Sequence, residues 1–353
     1  MFNFYPGPSK VYEEVREYLQ DAYDEGVLSI PHRGERFVQL SRATVELLKK
    51  KLNIPQDYYV FFASSATECW EIVTQSLAPT KSYHIYNGSF GEKWCQYAKK
   101  LRPLSQGFAY DINEPLPVDQ LEVDKATDVI CITQNETSNG TQIRNGSILN
   151  LFNKYRDKLI AVDATSSMAG VNLKFIKADV WFASVQKCFG LPAGLAVLVC
   201  SPRAIFRAKQ HNEKAHYNSL VFMYEKMLNY QTTHTPNVLN IYLLNRVLEN
   251  RPLIKTVDQH TVRRAQELYQ FFSELGKFKL LIENEEVRSN TVLALEGSEK
   301  AITEVKAKAA QHNLTLGNGY GQWAKSTFRI ANFPAIQAEE YDALKNFFLR
   351  FYA

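Results

Sequence analysis

Apolar residues fall along this chain in short unbroken runs with helix-spaced stripes between them. The runs are Tyr58–Ala63, Tyr83–Tyr86, Val129–Thr133, Leu159–Val162, Val180–Ala183 and Leu195–Cys200. They lack the alternation of a half-exposed sheet, and their continuity predicts strands covered on both faces. Trp70, Val73 and Leu77 mark an apolar helical stripe after the first run. Ile148, Leu151, Phe152 and Tyr155 mark another before the fourth. Strand–helix alternation of this kind predicts an α/β fold on a mostly parallel sheet covered by helices.

From about residue 250 the pattern changes. Val262–Leu275 reads as a long amphipathic helix. Short strands follow around Phe278–Ile282 and Thr291–Leu295, then a helix near Ala301–His312, a strand at Thr327–Ala331 and a last helix from Glu339. This predicts a smaller α+β domain. Near the N-terminus, Pro6-Gly7-Pro8 is a stiff, extended stretch. No repeat, low-complexity tract or long linker interrupts the chain.

Composition narrows the function without naming it. The 353 residues are 45% hydrophobic and 22% charged, enough for a full core. A net charge of +4 with no basic block argues against a nucleic-acid partner. The first residues have no basic region leading into an apolar stretch, and no apolar run approaches the ~20 residues that span a bilayer. The expectation is a cytoplasmic protein without a membrane partner. Cys69, Cys95, Cys131, Cys188 and Cys200 include no CxxC pair, so reduced thiols are expected rather than a disulfide framework or a metal site.

Open α/β sheets place ligands at the C-terminal ends of their strands. Five successive ends here carry polar groups: Ser64-Ser65-Ala66-Thr67, Asn87–Gly91, Asn135-Glu136-Thr137, Asp163–Ser166 and Ser184–Lys187. Ser64–Thr67 opens a helix whose free N–H groups and dipole suit a phosphate. Simple capping explains the same residues. Asp163 ends an apolar strand, where a carboxylate is costly unless paired. It either caps the next turn or opposes a cation. Lys187 lies between a buried strand and Cys188-Phe189-Gly190-Leu191-Pro192. An amine in that setting has a depressed pKa, as a Schiff-base lysine needs, although a lone lysine more often extends to water. Ser184 and Lys187 also match Ser-x-x-Lys, but the companion motifs of that acyl-enzyme chemistry are absent. Phe90, in a Gly-rich loop, can lie over a flat cofactor or simply pack in the core. Arg33 and Arg329 suit carboxylates as guanidinium forks, or form surface ion pairs. His32 is equally a candidate ligand or a structural histidine.

Taken in order, these positions resemble the class V pyridoxal-phosphate-dependent aminotransferases. The resemblance runs through Asn3-Phe4-Tyr5-Pro6-Gly7-Pro8, Pro31-His32-Arg33, Val162-Asp163-Ala164-Thr165-Ser166-Ser167, Ser184-Val185-Gln186-Lys187, Thr233-His234-Thr235-Pro236 and Phe328-Arg329-Ile330-Ala331-Asn332. His32-Arg33 together with the Thr-Pro segment near residue 235 points to the phosphoserine branch of the family.

The resemblance implies the type I aminotransferase fold, with residues 16–250 as a large cofactor-binding domain and 1–15 with 251–353 as a small domain. It implies a homodimer with sites at the subunit boundary. Lys187 would carry pyridoxal 5'-phosphate and Asp163 would pair with its ring nitrogen. Gln186 and Thr137 would hydrogen-bond the cofactor, Phe90 would stack on it, and Ala66 and Thr67 would serve its phosphate. His234 and Thr235 would reach that phosphate from the partner. Arg329 would take the substrate α-carboxylate, and His32 with Arg33 its distal anion. The chain departs from the family at four places. Ser-Ser-Ala-Thr replaces a Gly-rich turn that often carries arginine where Thr67 stands. Phe90 replaces tryptophan, His234 asparagine, and Pro6 a serine. Losing the arginine removes one charge from the pocket assigned to a substrate phosphate. Alanine–glyoxylate transamination, cysteine desulfuration and a relative without catalysis are the competing expectations. Retention of both Asp163 and Lys187 argues against the last.

Overall fold

The computed structural model describes residues 2–353. Its larger sheet has seven strands, in the order Tyr59–Ala63, Ala196–Cys200, Val180–Ser184, Leu159–Asp163, Val129–Thr133, Ser82–Tyr86 and Gln106–Ala109. All neighbours pair in parallel except Ala196–Cys200, which runs antiparallel to both of its neighbours. Two strands each antiparallel to a third are parallel to each other. The five strands whose ends carry the polar groups therefore all point to one edge of the sheet. The α/β class and the mostly parallel sheet expected from the apolar runs are both present.

The strands Val129–Thr133, Leu159–Asp163, Val180–Ser184 and Ala196–Cys200 are buried along their whole length. Trp70, Ile72, Val73, Trp94, Ile148 and Leu151, from the flanking helices, belong to the same core. Burying a side chain of this size stabilises by roughly 1.5–3 kcal/mol, so coverage on both faces selects unbroken apolar strands. The edge strand Gln106–Ala109 is mostly exposed and carries no such run, which is why the pattern does not predict it.

A second sheet has five strands, in the order Phe2–Phe4, Leu314–Asn318, Thr327–Ala331, Val292–Glu296 and Lys279–Leu280. Phe4 lies in a separate core with Phe272, Phe278, Phe328 and Phe348. Phe278 meets Phe328 edge-on at 5.0 Å, and Phe272 meets Phe348 edge-on at 4.9 Å. The first strand pairs in parallel with Leu314–Leu316, so the N-terminal residues join a sheet built from the C-terminal third. The helix expected from Val262 starts two turns earlier, at Ile254. Its first turns carry too few apolar residues to show a stripe, but Ile254 and Thr261 are buried against tertiary neighbours.

One buried carboxylate ties together the strands that carry the chemistry. Asp179, just before Val180–Ser184, accepts from the Ile160 N–H at 2.9 Å, the Ser201 hydroxyl at 3.0 Å and Arg203 Nε at 2.8 Å. Its own N–H donates to the Ile160 carbonyl at 2.9 Å. The register between the Asp163 strand and the strand leading to Lys187 is thereby pinned at its far end. Asp179→Ala strands the Ile160 N–H and the Arg203 charge. Urea unfolding is expected to show a loss of about 3 kcal/mol; a loss within about 0.5 kcal/mol, as for an ordinary surface change, would overturn this role.

Candidate active site

At the shared strand edge lies a cleft of about 220 Å³. Its lining includes Ala66, Thr67, Phe90, Thr137, Asp163, Gln186, Lys187 and Arg329, eight of the expected site residues. Residues scattered over most of the chain converge here because the five strand ends are parallel and the small sheet closes over them.

Lys187 is buried, and its Nζ donates to Thr137 Oγ1 at 2.8 Å and to Ser166 Oγ at 2.9 Å. Those two hydroxyls are also bonded to each other. Burial pushes the Lys187 amine down to about 8; Asp163 opposes that shift and Arg329 reinforces it. Space for the side chain depends on Gly7, where a Cβ would lie 2.8 Å from Lys187 Cε. Pro6-Gly7-Pro8 thus forms one wall of the cleft.

Asp163 is 4% exposed. One carboxylate oxygen accepts from the Trp70 indole N–H at 2.9 Å, and the other from the Thr165 N–H at 2.9 Å. Both bonds restrain the carboxylate against rotation. Arg329 is also buried: Nε donates to the Asn318 carbonyl at 2.6 Å and Nη1 to the Thr137 carbonyl at 2.7 Å. Burial lowers its pKa to about 10. Nη2 makes no hydrogen bond to the described residues.

Two expectations need correction. Phe90 sits in the first turn of the helix Ser89–Leu101, not in a loop. Glu136 holds that turn, accepting from the Phe90 and Gly91 N–H groups at 3.1 Å each. Gly88 makes room for this carboxylate, since a Cβ there would lie 2.4 Å from Glu136 Cγ. The Ala66 N–H, expected to serve a phosphate, already donates to Ser184 Oγ at 2.7 Å. In the same helical turn Glu68 N–H is capped by Ser65 Oγ at 3.0 Å, whereas Thr67 makes no hydrogen bond through its N–H or hydroxyl to the described residues.

Four expected residues lie outside the cleft of this chain. His32 Nδ1 and Thr235 Oγ1 are 3.4 Å apart, and Arg33 and His234 are close enough to His32 to act on its charge. Burial lowers the His32 pKa, and the neighbouring Arg33 and His234 add to that shift. Thr235 and Arg33 are exposed. The four residues form one patch rather than two separate pieces.

The sequence pattern gives no role to Trp70, Ser166, Glu136 or Tyr320. Trp70 was visible only as part of an apolar stripe, and Ser166 and Glu136 only as polar residues at strand ends. Nothing in the local pattern marks Tyr320, which lines the cleft from the turn after Leu314–Asn318.

The cleft carries unmet hydrogen-bonding capacity. Thr133 Oγ1, Asn135 Nδ2, Thr165 Oγ1 and Gln186 Oε1 are buried without a protein partner, and all four residues line it. Buried polar groups are rarely left so. Four around one cleft fit a polar ligand, and the donor set fits a flat, phosphorylated, ring-nitrogen cofactor: an amine, a carboxylate, an aromatic face and a free helix-terminal N–H.

A buried amine, a braced carboxylate and an arginine in one cleft at the strand ends suit an enzyme site for a small amino or oxo acid. Comparison with known proteins agrees. The family pattern "Aminotransferase class-V" matches residues 2–320. The chain belongs to the class V aminotransferases. It is 26% identical over 350 residues to a phosphoserine aminotransferase of Rhodococcus opacus, covering 96% of this chain and 91% of that one. A solved structure of a phosphoserine aminotransferase from Cytophaga hutchinsonii is 31% identical, with a TM-score of 0.94, covering 99% of this chain and 98% of that one. An alanine–glyoxylate aminotransferase from Nostoc, 18% identical with a TM-score of 0.83 and covering 99% of this chain and 95% of that one, shares the fold.

The depressed Lys187 amine makes a direct prediction. Its folded pKa lies below the unfolded one, so the unfolded chain binds more protons between about 8 and 10.5 and this group's contribution to stability rises with pH across that window. Only the neutral amine is nucleophilic. Labelling of Lys187 in the cofactor-free protein by a small acylating reagent, read by peptide mass spectrometry, should reach half its maximal rate near pH 8. A midpoint near that of exposed lysines would contradict the assignment.

Proposed function

We propose that this aminotransferase uses pyridoxal 5'-phosphate and moves the amino group of phosphoserine to 2-oxoglutarate, a step of serine biosynthesis in the cytoplasm. The carrying observation is the buried Lys187 amine, poised between two hydroxyls in the cleft that also holds Asp163 and Arg329. Phosphoserine as donor is supported by the relatives that span nearly the whole chain.

In this reading Lys187 holds the cofactor covalently. Asp163, braced by Trp70, would pair with the ring nitrogen, Phe90 would stack on the ring, Gln186 and Thr137 would hydrogen-bond the cofactor, and Thr67 beside Ala66 would receive the phosphate. Bound there, pyridoxal phosphate supplies a conjugated ring that takes up the electron pair left on the substrate α-carbon. Once the incoming substrate amine has displaced it, the free Lys187 Nζ would take the α-proton as general base and give it back as general acid, and burial that lowers its pKa suits it to both tasks. Thr137 and Ser166 hold Nζ where it must act. Arg329 presents a guanidinium to the α-carboxylate. Residues 16–250 serve as the cofactor-binding domain, and 1–15 with 251–353 as the small domain.

The patch of His32, Arg33, His234 and Thr235 completes the site in a homodimer. Each chain would lend it to its partner, His234 and Thr235 toward the cofactor phosphate and His32 and Arg33 toward the distal anion. A cysteine-based reaction on this fold is disfavoured, because Cys188 is buried with its Sγ on the Ser166 carbonyl at 3.3 Å and burial raises its pKa.

Purified protein given pyridoxal phosphate should absorb in the visible, and Lys187→Ala should abolish both that band and transamination. A parent that stays colourless sinks the reading. With 2-oxoglutarate as acceptor, phosphoserine should exceed alanine in kcat/KM; the reverse order would reassign the donor. Lys187→Ala and Arg33→Ala chains should each be inactive or weak alone. Co-expressed, they should recover up to about a quarter of parental activity, since half the dimers are mixed and each mixed dimer has one intact site. No recovery would show that Arg33 serves its own chain.

A further inference from the structure

We propose that Tyr320, held by Lys93, is a specificity-determining residue that seats the substrate's distal anion from within the same chain. The inference rests on the phosphoserine reading above and adds a residue pair that nothing so far assigns.

The cleft needs more positive charge than its lining provides. A phosphorylated amino acid brings an α-carboxylate and a distal anion. Arg329 is the arginine that lines the cleft, Thr67 carries no charge, and His32 and Arg33 lie outside it. Lys93 stands at the rim. It is exposed, and among the described residues no carboxylate pairs with it. Its Nζ donates to the Tyr320 hydroxyl at 2.5 Å and lies 4.7 Å from the centre of that ring. Because the hydroxyl oxygen accepts from Lys93, its own proton is free to be given away, and it goes to no described residue. An uncompensated ammonium backing a hydroxyl donor is a favourable arrangement for a phosphate or carboxylate.

Tyr320 is also held in place. Its ring stacks on Phe90 at 4.8 Å with a 16° tilt, and the Arg329 guanidinium lies 5.6 Å from its centre. Glycines flank Tyr320 on both sides, where a side chain would meet close neighbours. At Gly319 a Cβ would lie 2.2 Å from the Trp323 carbonyl oxygen. At Gly321, with φ +57°, it would lie 2.1 Å from Ser89 Oγ. The turn Asn318-Gly319-Tyr320-Gly321 thus sets Tyr320 in the lining of the cleft, with Arg329 and Lys93 as cations flanking its ring. Two cations about one ring favour a substrate with two anionic ends over one with a single carboxylate.

The test uses the full-length protein loaded with pyridoxal phosphate. KM is measured for phosphoserine and for alanine at fixed 2-oxoglutarate. Tyr320→Phe keeps the ring and removes the hydroxyl; Lys93→Gln removes the charge at an exposed position where folding is not at stake. Each should raise KM for phosphoserine roughly tenfold, as for loss of a charge-assisted hydrogen bond. The ratio of phosphoserine KM to alanine KM should rise by nearly the same factor. Lys93→Arg should restore most of the parental ratio. If phosphoserine and alanine shift equally in both variants, or neither shifts, Tyr320 is only a wall of the cleft and the inference falls. A parent that does not turn over phosphoserine overturns the substrate reading, and this inference with it.

Discussion

Withdrawal of the Lys187 amine from water is the constraint on which the rest of the site depends. An ammonium removed from water costs several kcal/mol unless it is paired or gives up its proton. Here it is placed between those outcomes. Two hydroxyls accept from it, Asp163 favours its charged form, and Arg329 disfavours it. The net effect brings its pKa to about 8, where a modest change in surroundings moves the proton. That balance fails if water enters, so the stiff N-terminal segment is part of the chemistry. Gly7 lies against the lysine side chain, and a methyl group there would displace it.

Thr137 connects this balance to the second sheet. Its hydroxyl accepts from Lys187 and its carbonyl from Arg329. One residue thereby sets the separation of the two cations, keeping them in one cleft without letting them meet. Arg329 in turn binds the Asn318 carbonyl, on the strand beside its own. Its guanidinium is thus fastened to the small sheet and to the turn that follows the large-sheet strand Val129–Thr133, joining the two parts through the group that would grip substrate. A movement of the small sheet relative to the large one would move the arginine with it.

The large sheet does the positioning from the other side. Asp163 ends one strand and Lys187 follows its parallel neighbour, and the register of the two is held at the opposite end by Asp179. Asp163 is further braced by Trp70, a helix residue whose apolar ring fills the core and whose N–H finds the carboxylate. A tryptophan buried for packing so acquires a polar task, because a buried indole N–H needs a partner.

Local pattern was enough to show the α/β class, most strands of the large sheet, and Lys187 and Asp163 as polar groups at the ends of apolar runs. The reason is that a doubly covered strand must be apolar throughout, and a charge placed where it stops stands out against that background. Resemblance added the remaining site residues. What the tertiary structure alone decided were contacts between segments remote in the chain. Sequence spacing carries no record of Trp70 meeting Asp163, of Ser184 taking the Ala66 N–H, or of Glu136 seating the helix that bears Phe90. It also carries no record of Tyr320 arriving from the second sheet to stack on Phe90. Each of these depends on packing two cores together, and a periodicity reports only which face of an element is buried, not what it is buried against. For Lys187 itself, the sequence determined that an amine would stand at a strand end, and the fold determined that it would be held there out of water.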